Sequence, residues 1–179
     1  MKKLGLLAMA GVVMLSGCGG DDDEVEDLLR PPASLYFHNQ LTDFTDPDAS
    51  SIRVDVVTNK SSDPLFEDVG YSTDEQDGKN LKLDAGEDTI EFSVRRNGSD
   101  FHADSASLKA RDNYTLVFMG DVVGGALQLA AFRQQTPEVA ATQVGVRFIH
   151  AMYEQASTRF SIGIAADLDY GKATGYFAD

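Results

Sequence analysis

From Ala33 onward, apolar and polar residues alternate with a period of two, as they do in strands with one buried face. In Ser51–Val57, Ile52, Val54 and Val56 share one face, with Arg53 and Asp55 on the other. Asp88–Arg95 repeats the pattern, with Ile90, Phe92 and Val94 inward and Glu91 and Ser93 outward. Asn80–Glu87 supplies Leu81 and Leu83 and then a turn through Asp84-Ala85-Gly86. Asn113–Gly120 is more continuously apolar, as a strand covered on both faces would be. Ala126–Phe132, Val144–Ala151 and Thr158–Ala165 predict three more strands. Between them lie clusters rich in Gly, Pro, Asn, Asp and Ser, namely 45–51, 59–64, 74–80, 95–100 and 120–125. The stretch 98–105 reads as a polar loop that leaves His102 exposed. No long segment carries a helical period.

Short strands at regular intervals predict an all-β chain, an immunoglobulin-like antiparallel β-sandwich. The likeness is architectural only. The chain contains no Trp and a single Cys, so the antibody-type core of a disulfide against a tryptophan is excluded.

That cysteine has its own context. Lys2 and Lys3 precede an apolar run from Leu4 to Leu15, the length of a signal-peptide core and too short for a membrane span. Ser16 and Gly17 then lead into Cys18. Leu15-Ser16-Gly17-Cys18 resembles the bacterial lipobox, which implies cleavage before Cys18 and acylation of its thiol with palmitate-class chains. Each buried CH2 is worth about 0.8 kcal/mol, so several chains anchor stably. The expected organisation is a lipoprotein signal peptide at 1–17, a lipidated Cys18 with an acidic tether over 18–32, a sandwich over 33–140, and the start of a second, incomplete repeat over 141–179. By resemblance to enterobacterial sorting, Gly19 rather than Asp after the cysteine favours the outer membrane.

Charge narrows the partners. The chain has 29 acids against 15 bases, a net of −14; without Lys2 and Lys3 the bases fall to 13 and the net to −16. Nucleic acid is excluded as a partner, since phosphate binding needs a basic footprint. The partners expected are the membrane, through the lipid, and an envelope protein or glycan.

Two segments rhyme. Ser34–Asn39 and Gly145–Ala151 are apolar strands containing His38 and His150, each followed by a polar turn and an alternating strand. Their spacing is domain-sized. Here the chain resembles a bacterial family catalogued as domain of unknown function 4397. That family's copy starts with a strand into His-Ala-Ser-Pro-Asp-Ala-Pro and a Val-Asp-Val strand, and later has Leu-x-Ala-Gly and Leu-x-Ala-Gly-x-x-Tyr-Thr. His38, Asp46-Pro47-Asp48-Ala49, Val54-Asp55-Val56, Leu83-Asp84-Ala85-Gly86 and Leu108 through Tyr114-Thr115 fit it. Arg111-Asp112 stand where the second turn usually has Gly, and the loop after His38 is longer than the pattern. The second copy keeps His150-Ala151 without the Ser-Pro-Asp. Its order of elements favours a fragment over strands that complete the first domain or a neighbour. The resemblance implies an exported β-sandwich, often in tandem, and assigns no catalytic residue.

A search for chemistry finds little. No Gly-x-Ser-x-Gly, His-Glu-x-x-His, P-loop or Cys-x-x-Cys is present. Asp43, Asp46 and Asp48 gather in one loop as weak cation candidates, although such residues are also ordinary turn formers. Thr73–Asp84 resembles a calcium loop with the wrong residues at its first and last ligand positions. His38 and His150 are expected to be repeat-equivalent structural residues, each imidazole bonding the turn that follows. No cofactor is expected. The functional expectation is a non-enzymatic envelope lipoprotein, presenting its sandwich as a structural, adhesive or protein-binding module. The alternative is glycan or calcium binding by the acidic loops.

Overall fold

The computed structural model describes residues 31–43, 45, 52–71, 78–135, 138, 140–143, 145–152, 160–162 and 165–178. Within them the chain forms β1 (Ala33–Thr42), β2 (Val54–Thr58), β3 (Ser61–Val69), β4 (Lys79–Leu81), β5 (Glu87–Arg96) and β6 (Ser99–Lys109). There follow β7 (Asn113–Asp121), β8 (Gly125–Gln134), β9 (Gly145–Val146), β10 (Phe160–Ile162), β11 (Ala165–Leu168) and β12 (Phe177–Ala178). No helix occurs among the described residues.

Two four-stranded sheets face each other. Sheet A has the order β4-β1-β7-β8 and sheet B the order β3-β2-β5-β6. Alternation along the strands puts Leu35, Phe37, Leu116 and Phe118 of sheet A against Val54, Val56, Ile90, Phe92 and Val94 of sheet B, all essentially inaccessible. Each such side chain contributes about 1.5–3 kcal/mol on burial. The sandwich is therefore as expected, with one correction. β1 and β7 run parallel, Ser34 opposite Asn113 through Thr42 opposite Asp121, while every other pairing in the two sheets is antiparallel. A parallel neighbour needs a long crossover, and the whole of sheet B intervenes in sequence between these two strands.

Two further expectations are corrected. Within 98–105 only Gly98 belongs to a turn; residues 99–105 open β6, an 11-residue strand. A two-residue turn joins it to β5, with Asn97 and Gly98 both at positive φ (53° and 74°), as a hairpin of this twist requires. Ser61–Pro64, assigned to a turn cluster, opens β3. Proline is tolerated there because β3 is an edge strand.

The chain crosses from β6 to β7 through a corner built on Tyr114, whose Oη accepts the Lys109 N–H at 2.8 Å. A tyrosine hydroxyl bonding backbone a few residues upstream is a corner device of immunoglobulin-like sandwiches. Tyr114→Phe is expected to cost about 1–2 kcal/mol in urea unfolding, because the Lys109 N–H loses its partner. In the same corner Arg111 has φ 67°, a left-handed conformation that favours glycine. The family's usual Gly thus has a physical reason, and Arg111 carries strain. Arg111→Gly is expected to stabilise the fold by up to about 1 kcal/mol, a rise of a few degrees in Tm in a thermal melt.

After β8 the chain covers the outer face of sheet A. β9 pairs with β12, and Ile149 bridges Ala173, so residues 145–149 run antiparallel to 173–178. The segment expected as one strand at 158–165 contributes instead to a small pair, β10 with β11. Arg147 fixes this layer to the sandwich: its guanidinium lies over Phe132 of β8 at 5.6 Å and over Tyr176 at 5.2 Å, and donates to the Arg133 carbonyl at 2.7 Å. Tyr170 Oη donates to the Ala126 carbonyl at 3.3 Å. Val117 and Met119, on the outward row of β7, are consequently buried, so this strand is apolar on both faces as its sequence predicted.

Candidate functional site

Among the described residues polar side chains come together at several places, three of which are each built by a local device. The first is the side of the sandwich where β6 approaches β8. The β5–β6 register jumps from Val94 opposite His102 to Arg95 opposite Asp100, which leaves Phe101 as an extra residue. Such a bulge turns two consecutive side chains towards one face. Phe101 meets Phe118 edge-on at 6.3 Å and His102 stacks on it at 5.7 Å. His102 Nε2 lies 2.7 Å from Asp104 Oδ2, and the same oxygen accepts the Leu129 N–H of β8 at 2.7 Å. Asp104 thereby joins the two sheets. His102, expected to be exposed, is partly buried in this contact.

The second place is the end of the sandwich where β1 stops. Asp121, 2% exposed, accepts the Val123 N–H at 3.0 Å and the Gly124 N–H, and its other oxygen accepts the Thr42 hydroxyl at 3.4 Å. Asp43 Oδ1 accepts both the N–H and the hydroxyl of Thr45, at 2.9 and 2.6 Å. Turn formation occupies these carboxylates. Asp46 and Asp48 lie outside the described residues. Among the described residues no three His, Cys, Asp or Glu side chains are grouped to hold a metal ion.

The third place is a groove of about 400 Å³ on the outer face of sheet B, lined by Thr58, Asn59, Ser61, Ser62, Glu91, Ser93 and Arg95 over Val57. Its rim is fixed. Asn59 pairs with β5 through its N–H to the Glu91 carbonyl (3.0 Å) and accepts the Glu91 N–H on Oδ1 (3.3 Å). Lys60 Nζ meets Asp84 at 2.5 Å and Asp88 at 2.7 Å, and Arg95 Nε donates to Asp100 at 2.8 Å.

The hydrogen bonds from Lys60, to Asp84 foremost and then Asp88, raise the ammonium pKa above its ordinary value. The bond from Lys60 likewise holds the Asp88 carboxyl below its ordinary range. A lowered carboxylate contributes stability above its ordinary pKa and loses it as pH falls through the folded value. A raised ammonium contributes below its ordinary pKa and loses it as pH rises through the folded value. The tie is thus complete between about pH 4 and pH 10. Lys60→Met is expected to lower Tm at about pH 7 and in low salt. The deficit relative to wild type should vanish once acid protonates Asp88 and shrink in about 1 M salt.

The two histidines singled out by the repeat have different surroundings. His38 points outward from β1 and is exposed. His150 is 4% exposed, stands edge-on to Tyr170 at 5.7 Å, and accepts the Met152 N–H on Nδ1 at 3.4 Å. Cys18 and the tether to residue 30 lie outside the described residues, as does 72–77 of the calcium-like loop. The groove escaped sequence reading because Glu91, Ser93 and Arg95 read simply as the polar side of an alternating strand. Asn39, discussed below, gave no signal beyond being a polar residue in an inward position.

Two facing sheets and a tyrosine corner define the fold as a β-sandwich. A family model described as a domain of unknown function (DUF4397) matches residues 46–157, well over half of the chain. The chain belongs to this family. No curated protein matches it.

Proposed function

We propose that the chain is a lipid-anchored protein of the bacterial cell envelope, sorted to the outer membrane. It presents its β-sandwich as a structural, adhesive or protein-binding module and has no catalytic role of its own. The observation that carries this reading is the N-terminal order of charge (Lys2, Lys3), apolar run (Leu4–Leu15), small residues and Cys18, followed by a run of acids suited to a solvated tether. The commitment of Asp104, Asp121 and Asp43 to backbone and hydroxyl partners agrees with a scaffold. In this reading residues 141–179 open a second repeat, supported by the rhyme of Gly145–Ala151 with Ser34–Asn39.

Intact mass of the protein extracted from membranes in detergent tests the anchor. The expected product begins at Cys18 and carries acyl mass, and Cys18→Ser moves the protein out of the membrane fraction. An unmodified product cut elsewhere would overturn the reading. In the calcium alternative, two of the carboxylates already have partners, Asp43 with Thr45 and Asp84 with Lys60. Millimolar calcium is therefore expected to leave Tm unchanged, and a calcium-dependent rise would revive that alternative.

A further inference from the structure

We propose that the groove on the outer face of sheet B binds saccharide. This deepens the adhesive reading, on which it rests, and places the contact on a strand face rather than on the acidic loops.

The argument is one of donors and acceptors. Glu91, exposed in the groove lining, offers two acceptor oxygens. Asn59 uses its Oδ1 on the Glu91 N–H, which leaves its amide group to donate. Arg95 spends Nε on Asp100 and keeps further donors in its fork. Ser62 and Ser93 hydroxyls both donate and accept. A simple anion entering here meets Glu91, and a simple cation meets Arg95 and Lys60, so neither ion is matched. A sugar hydroxyl donates and accepts at one oxygen and satisfies both kinds of partner. The groove runs across the outer faces of β5 and β2 to the start of β3 and presents side-chain donors and acceptors, rather than the row of free backbone groups that a peptide strand pairs with.

Shape and stiffness agree. The volume falls within the range of clefts that hold small ligands, about 300–1,000 Å³. Val57, 3% exposed, closes the floor beneath these polar side chains, so recognition falls to their hydrogen bonds. The fixed rim means that little ordering is left to be done on binding.

The test is a titration of the mature chain, with amide chemical shifts as readout and maltotriose, cellotriose, mannotriose and chitotriose as probes, each to about 10 mM. At least one trisaccharide is expected to shift amides within residues 57–62 and 91–95, with a Kd between about 0.1 and 5 mM. Ser93→Val, a change that suits an outward strand position, should weaken it about tenfold or more with Tm unchanged. Should that variant perturb the fold, Ser62→Ala at an exposed position replaces it and is expected to weaken binding about threefold. Absence of shifts with all four sugars, shifts mapping elsewhere, or equal affinity in a folded variant would overturn the proposal. None of these outcomes touches the mass of the Cys18 product, so loss of the saccharide site and loss of the anchor are read separately.

Discussion

Asn39→Asp is expected to destabilise the protein by about 4–5 kcal/mol near neutral pH, measured by urea unfolding. Asn39 is fully buried at 0% exposure on β1. Its Nδ2 donates to the carbonyls of Ile52 and Val69, both at 3.1 Å, and its Oδ1 accepts the Leu41 N–H at 3.0 Å. One amide thus holds the approach to β2, the end of β3 and its own strand, just where Tyr71 bridges back to Asn39. A carboxylate there replaces both donors with negative charge facing two carbonyl oxygens, in a place water does not reach. The carboxyl would have to take up a proton to fit. The destabilisation relative to wild type should therefore diminish as pH falls, and a pH-independent deficit would refute this account. Asn39→Ala, which leaves three backbone groups unpaired without adding charge, is expected to cost about 3 kcal/mol.

Phe118→Ala is expected to cost about 3–5 kcal/mol. Phe118 is buried at 0% on β7, seven of whose nine residues are buried. The usual cavity penalty is joined here by a second loss, since the ring is the surface on which Phe101 and His102 both rest. Hydrogen exchange should report this. The Leu129 amide, held by Asp104 beside His102, should lose protection beyond the global change. If Leu129 merely follows the global loss, Phe118 supports the core alone and not the contact between β6 and β8.

The strands visible in the sequence are those whose inward row is apolar. Ile90, Phe92 and Val94 mark β5, and the unbroken apolar run marks β7. β6 was hidden because its inward row carries His102 and Asp104, and because the bulge at Phe101 breaks the period of two. β3 was hidden by Ser61-Ser62-Asp63-Pro64, turn residues that an edge strand accommodates. Register between distant strands has no local signature, and so the alternation within β1 and β7 carries no sign that the two run parallel. The family motif was legible around Leu108–Thr115, and the structure adds why its glycine position is special: Arg111 sits at φ 67° there. The groove is a product of pairing β2 with β5, which places Thr58 opposite Phe92 and Val57 opposite Ser93; no segment read alone contains it.

The tie between Asp104 and Leu129 also bears on solubility. A sandwich normally leaves sheet edges whose free N–H and C=O groups can recruit strands from other molecules. In this protein the β8 edge has a backbone donor taken by the opposite sheet, while the far side is crossed by the chain itself as β3 leads to the Tyr71 bridge. The outer edge of β3 carries Pro64 among Asp63, Glu67 and Asp68, residues that resist pairing. Copies crowded together at high local concentration would therefore find few templates for strand-to-strand association. Asp104→Ala, by freeing the Leu129 donor, is expected to raise light scattering at temperatures below the melting transition, aggregation preceding loss of the fold.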